Sequence, residues 1–184
     1  YKVVITYGIE RDTSYVKVIP DPRFELEAEV DEQLYQYQKA VDAQMAALSI
    51  SFNLIDRKFD AIWQLEKQIL DQSLAVKASL LPEIDEMIAR LQALDSQGRT
   101  PKPDRQLGAW QTSEITPYSK VKDVQKIAMS SVRPISEQEK QLLREAELMV
   151  ELFNDEVHDF FQDEWPDFIQ KLKQANINWL VKLE

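Results

Sequence analysis

Between Ala28 and Gln72 the chain reads AEVDEQLYQYQKAVDAQMAALSISFNLIDRKFDAIWQLEKQILDQ. Apolar residues recur at Leu34, Val41, Leu48, Ile55, Ile62 and Ile69, each seven positions after the last. A second row at Met45, Phe52 and Phe59 keeps the same period, and the two rows interleave with spacings of four and three. That is the seam of a bundle or a coiled coil. The outward face carries Glu29, Glu32, Lys39, Asp42, Asp56, Arg57 and Lys67. The stretch predicts one helix over 28–72, about 65 Å long at 1.5 Å per residue. A helix of that length needs partners along most of its surface.

The rest of the chain supplies those partners. Ser73 to Ala78 continues or bends the first helix. Ser79 is placed as the N-cap of a second, with Pro82 and Glu83 in its first turn. Its stripe is Ile84, Met87, Ile88, Leu91 and Leu94, and Gly98 is placed to be its left-handed C′ residue. Pro101, Pro103 and Gly108 leave no helical period over 98–116, a loop long enough to suggest a function of its own, or else an exposed crossover, anchored by Leu107 and Trp110. Thr116-Pro117 opens a shorter helix with stripe Val121, Val124, Ile127 and Ala128, ending near Val132, and Pro134 stops it. Ser136 with Glu139 forms a capping box for the last helix, whose stripe is Leu143, Ala146, Val150, Phe153, Val157 and Phe160. Trp165-Pro166 predicts a kink there, after which Phe168, Ile169 and Leu172 resume the stripe. Asn176 to Glu184 is a short tail, with Trp179 and Leu180 expected to dock on the bundle.

Ahead of the helices, Tyr1 to Tyr7 is β-branched and aromatic and reads as a strand. Gly8 to Ser14 reads as a polar connection and Tyr15 to Ile19 as a second strand. Two strands alone are marginal in water, so the hairpin is expected to pack on the helices or complete a sheet lying upstream. Pro20 and Pro22 end it, and Asp21-Pro22-Arg23 is a stiff junction. The expected fold is therefore mainly α: an elongated antiparallel up-and-down bundle of about four helices, two of them long, with a short N-terminal β hairpin. Residues 1–23 form the hairpin unit and residues 24–184 the bundle. The two long helices are expected to pair antiparallel, with the shorter two on the remaining sides and the hairpin at one end.

Composition narrows the function. The 184 residues carry a formal net charge of −10, which repels phosphate backbones and anionic lipid headgroups. No run of about 18 apolar residues occurs, so no membrane-spanning segment is expected. With no Cys, disulfide and thiolate metal sites are excluded. The chain does not begin with Met and starts directly on a strand, which suggests a piece of a longer protein.

The candidate chemical groups carry little chemistry. His158 is the only histidine, with Asp155 three residues before it. A di-iron bundle requires two Glu-x-x-His pairs, so no metal site is expected. Glu83, Asp85 and Glu86, like Asp163, Glu164 and Asp167, read as solvated acidic faces. A glycosidase would require two carboxylates facing across a cleft, one of them desolvated. Phe52, Phe59, Phe153, Phe160 and Trp63 sit at helical spacing and read as core. Tyr35 and Tyr37 flank the start of the first helix, where they meet the hairpin or form an exposed patch. No phosphate loop or nucleophile elbow is present. No catalytic residue, no cofactor and no metal ligand is assigned.

Several short stretches carry a family resemblance. They are Tyr1-Lys2-Val3-Val4-Ile5-Thr6, then Val16 to Val18, then Asp21-Pro22-Arg23 leading into the long helix. Ser119-Lys120-Val121 follows, ahead of the Pro134-Ile135-Ser136 helix start, then Glu145-Ala146-Glu147 and the closing Asn176-Ile177. In this order they resemble the C-terminal region of bacterial exported proteins of the VPS10/sortilin-like type. Those proteins carry a β-propeller of BNR-like repeats and are often labelled glycosyl hydrolases. The chain departs from the pattern in its 98–116 loop and its Trp165-Pro166. The resemblance implies that residues 1 to 20 are the last strands of a β-sandwich, that the helices are a C-terminal appendage, and that the protein is extracellular or periplasmic. It places any catalytic site in the propeller and carries no site residue onto this chain.

Three functions are compatible with these readings. The first is a non-catalytic structural or protein-interaction module that packs against upstream domains or a protein partner. The second is an accessory part of a glycoside-hydrolase-like enzyme whose active site lies upstream. The third is a self-associating bundle, a homodimer.

Overall fold

A computed structural model of the chain describes residues 1–19, 28–70, 73–99 and 115–175. Two strands, β1 (Lys2–Tyr7) and β2 (Glu10–Tyr15), precede five helices: α1 (Ala28–Ile69), α2 (Leu74–Gly98), α3 (Pro117–Ser130), α4 (Glu137–Gln162) and α5 (Glu164–Gln174). The molecule is mainly α, an elongated bundle with two long helical spans and a short antiparallel hairpin, as the sequence pattern predicts.

The first helix runs unbroken for 42 residues, about 63 Å. Its predicted seam is the core: Val41, Leu48, Phe52, Ile55, Ile62 and Ile69 are buried, while Leu34, Met45 and Phe59 pack half-buried against it. Trp63, read as core, is 56% exposed, because it falls outside both seam rows.

The directions of the helices follow from contacts along α1. Tyr37 Oη donates to the Glu139 carbonyl at 2.9 Å, Ser51 Oγ donates to Asn154 Oδ1 at 2.6 Å, and Lys58 Nζ lies 5.0 Å from the Trp165 ring centre. Both sets of numbers ascend together, so α4–α5 runs parallel to α1. The expected antiparallel pairing is instead between long and short helices. The C-terminal end of α2 sits beside Phe52, and its start follows the end of α1, so it runs back along the second half of α1. The Tyr118 ring of α3 also meets Phe52, at 6.3 Å, and Lys120 of α3 pairs with Glu145 of α4 at 2.7 Å. α3 therefore runs back along the first half. Between them α2 and α3 take the chain the full distance back, which leaves the long helices pointing the same way.

The two halves meet at Phe52, Gly98, Tyr118 and Phe153. The Phe52 and Phe153 rings lie 5.6 Å apart. A Cβ added to Gly98 would fall 2.6 Å from Phe52 Cε1 and 2.7 Å from Phe153 Cε2. Gly98 is thus the last residue of α2, without a positive φ, and not a left-handed C′. Arg99 caps α2 with its N–H on the Asp95 carbonyl and lays its guanidinium 4.6 Å over Phe52 while pairing with Asp56 at 2.7 Å.

Helix boundaries differ from expectation at two prolines. α2 starts six residues earlier than the Ser79 cap predicts: Ser73 takes the extended cap conformation and Pro82 lies inside the helix. Pro82 is exposed, so the carbonyl its missing N–H leaves unbonded can reach water, and α2 continues through it between buried Leu80 and Ile84. At the other end the chain breaks at Asp163 and not at Trp165-Pro166. Pro166 cannot donate to the Gln162 carbonyl, so the interruption falls one turn before the proline, which then sits in the first turn of α5. The caps Thr116–Ser119 and Ser136–Glu139 form reciprocal capping boxes.

Several expectations fall outside the described residues: the Asp21-Pro22-Arg23 junction, the crossover over 100–114 with Leu107 and Trp110, and the tail with Trp179 and Leu180.

Candidate functional site

The hairpin is where the chain leaves its chemistry open. β1 and β2 pair from Lys2↔Tyr15 to Tyr7↔Glu10, so only Gly8 and Ile9 form the loop. Gly8 has φ 59°, the left-handed conformation a two-residue hairpin turn requires. The second strand is therefore Glu10–Tyr15, not Tyr15–Ile19. The polar run Glu10-Arg11-Asp12-Thr13-Ser14 looks like a connection because it has no apolar alternation, and it has none because neither of its faces is buried.

Every strand residue except Val4 is exposed, and Val4 is intermediate. No helix in the described residues covers the hairpin, contrary to one branch of the expectation. Directly paired residues share a face. One face thus carries Tyr1, Val3, Ile5 and Tyr7 of the first strand, exposed at 76, 41, 67 and 85%. Val16, opposite Tyr1, extends it, while Ser14, Asp12 and Glu10, opposite Val3, Ile5 and Tyr7, make the β2 half of that face polar.

The two edges differ. Tyr1 and Val16 exchange backbone bonds at 2.7 and 2.8 Å, so bonded pairs fall at Tyr1, Val3, Ile5 and Tyr7. The N–H and C=O of Lys2, Val4 and Thr6 point to the outer edge of β1. On β2 the outward N–H of Thr13 is taken by Asp12 Oδ1 at 2.8 Å. Charges at Glu10, Arg11 and Asp12 and this internal bond blunt the β2 edge; the β1 edge has only Lys2 as protection.

A groove of about 590 Å³ lies between α1 and the α4–α5 corner. Its floor is Leu54, Phe161, Trp165 and Ile169, and Lys58 and Lys173 stand at its rim. Burial lowers the pKa of Lys58. Just past the break at Asp163, Trp165 packs against Phe160, Phe161 and Phe168, with ring centres 5.6 to 6.4 Å apart. The groove joins an apolar floor to two cations and brings together no nucleophile–base pair.

The two acidic groups singled out in the sequence come together. Glu83 and Glu86 of α2 face Glu164 and Asp167 of α5 across a small cavity of about 180 Å³, with Arg90 and Lys171 between them. Arg90 holds Glu164 in a two-pronged pair at 2.7 and 3.0 Å, and Lys171 bonds Glu83. The Arg90 hydrogen bond pulls the Glu164 carboxyl below its ordinary pKa. These are cross-braces between helices. Asp85 and Asp163 stay exposed on their own helices.

Glu139 is the buried carboxylate that sequence reading treated only as a cap. It accepts from the Ser136 backbone N–H and hydroxyl, both at 2.7 Å, and from Arg133 at 2.9 and 3.0 Å. The Ser136 bonds, reinforced by Arg133, hold its pKa down at about 2. A general acid requires the opposite shift. Tyr37, whose hydroxyl bonds this turn, has its pKa raised, first by burial and then by the Glu139 charge. Tyr35 is half exposed, so the two tyrosines do not form one patch.

His158 and Asp155 lie exposed on α4, and no group of three metal-ligating side chains occurs among the described residues. No described helix is long and apolar enough to cross a membrane. No protein-family model, curated protein or solved structure matches the chain.

Proposed function

We propose that the chain is a non-catalytic structural and protein-interaction module, a helical spine that presents a β hairpin for joining to another protein surface. The observation that carries this reading is the hairpin itself. Its β1 places Tyr1, Val3, Ile5 and Tyr7 in solvent, while the helices close their own core without it. An apolar strand face and an open edge left outside a completed core are features of a surface awaiting a partner. The carboxylates give no support to the glycosidase alternative: the one buried among the described residues, Glu139, is pinned by Arg133 and Ser136 and has its pKa lowered. The resemblance to the C-terminal region of exported β-propeller proteins agrees with a role as an appendage, and with an extracellular or periplasmic location.

The test is the paired substitution Val3→Lys with Ile5→Lys in the purified chain. The module reading expects the thermal midpoint of the helical signal to stay within about 2 °C, since neither side chain supports the bundle. It expects binding of an apolar-surface dye to fall. A drop in the helical midpoint of 5 °C or more would make the hairpin part of the chain's own core and refute the reading. Turnover of glycosides by the purified chain would refute it equally.

A further inference from the structure

We propose that β1 is a self-pairing edge: a second copy of this chain adds its own β1 antiparallel to the first, about a two-fold axis through Val4. This deepens the interaction-module reading and rests on it. The bonding pattern within the hairpin fixes which groups are available. Lys2, Val4 and Thr6 aim their amides outward, so the three pairs that form across the axis are Val4 with Val4, and Lys2 with Thr6 twice. Every outward donor of β1 then meets an acceptor.

The side chains agree with that register. The axis through Val4 sets Val3 opposite Ile5 of the second copy and Tyr1 opposite Tyr7. Each of these four residues is exposed in the single chain, and each gains an apolar or aromatic neighbour. Lys2 faces an uncharged Thr6, so no like charges are opposed. The result is a four-stranded sheet in the order β2-β1-β1-β2, in which the charged, internally bonded β2 edges lie outside. An isologous contact of this kind closes on itself and stops at two copies.

Charge also selects this place. Residues 1–19 carry Lys2, Arg11 and Lys17 against Glu10 and Asp12, a net +1 in a chain of net −10. Two copies repel each other strongly through their acidic helices and only weakly through their hairpins. Added salt screens the helical repulsion, so pairing is expected to tighten as ionic strength rises. The contact is small, which points to a reversible dimer in the micromolar range or weaker.

The experiment is sedimentation equilibrium of the whole chain between about 5 μM and 1 mM, with proline placed at each edge in turn. Val4→Pro removes an outward N–H and leaves the β1–β2 ladder intact; Thr13→Pro does the same on the far edge. The proposal expects a monomer–dimer equilibrium that Val4→Pro weakens at least tenfold and Thr13→Pro changes less than twofold. Should Val4→Pro disturb the hairpin, Thr6 decides: Thr6→Glu, facing Lys2 of the second copy, tightens the dimer, and Thr6→Lys loosens it. A monomer throughout the range overturns the proposal. So does a dimer indifferent to both the Val4 and the Thr6 changes, which would leave the module reading standing with its contact on another surface. Loss of the module reading itself shows separately, as a fall in the helical midpoint of the Val3 and Ile5 double variant.

Discussion

Replacing Gly98 by alanine tests how the two halves of the bundle are joined. A methyl group there would stand 2.6 Å from Phe52 Cε1 and 2.7 Å from Phe153 Cε2, well inside contact distance. Both rings are buried and belong to different helices, so neither swings away freely. Overpacking of this kind costs about 1–3 kcal/mol. Alanine returns about 0.5–1 kcal/mol by its better helix propensity and smaller unfolded-state entropy. Approaches this close to two ring atoms put the cost in the upper half of that range, so the net loss is about 1–2.5 kcal/mol, a fall of about 2–10 °C in thermal midpoint for a chain this size. Gly98→Asn is expected to be worse than Gly98→Ala, since asparagine is larger. A left-handed C′ site would reverse that order, because asparagine tolerates the conformation. Phe52→Leu makes room, so the double variant Gly98→Ala, Phe52→Leu should lose about 1 kcal/mol less than the sum of the single losses. Denaturant titrations of the four proteins supply these values. A neutral or stabilising Gly98→Ala, or strictly additive losses, would refute the packing argument.

Other perturbations follow from the same contacts. Glu139→Gln removes the buried carboxylate from Ser136 and Arg133 and should cost about 1–3 kcal/mol at neutral pH. Because the folded-state pKa is depressed to about 2, the wild-type advantage is fully present above the ordinary carboxylate pKa of 4.5 and disappears as pH falls from about 5 towards 2. A gap between the two melting curves that persists at pH 2 would contradict this. Ser51→Ala strips the Asn154 side-chain oxygen of its donor between α1 and α4, and a loss of about 1–2 kcal/mol in denaturant titration is expected. Asp56→Asn breaks an exposed pair with Arg99, and a loss above about 1 kcal/mol would show that pair to be stronger than its exposure allows.

The helices were legible because their burial is periodic. The seam of α1 and the stripes of α3, α4 and α5 could be read residue by residue; Thr116-Pro117 marked the start of α3 and the Ser136–Glu139 capping box that of α4. Where local signals compete, reading from sequence failed. Pro82 mimics a first-turn proline, yet α2 begins at Leu74 and runs on through it between buried Leu80 and Ile84. Gly98 mimics a helix stop, yet its lack of a side chain serves two phenylalanine rings that come from positions 52 and 153, and no local pattern reports such a contact. The parallel course of α1 and α4 is likewise a tertiary property, set by two shorter helices placed end to end. The second strand was missed because strand signals assume one buried face, and β2 has none. Its one clear marker was Gly8 after an apolar run, the signature of a tight hairpin turn. The groove by Trp165 was half legible: Trp165-Pro166 announced a bend, but the approach of Lys58 from α1 depends on the register of the long helices.

The most direct test of an open β1 edge on a self-contained bundle is amide hydrogen exchange measured residue by residue at two protein concentrations. At about 5 μM exchange is expected to be slow along α1 from Val41 to Leu65 and fast at Lys2, Val4 and Thr6. At about 1 mM those three strand positions become protected and the helix does not change. Protection of Lys2, Val4 and Thr6 already present at the low concentration would contradict an open edge, since the chain would then be covering that edge itself.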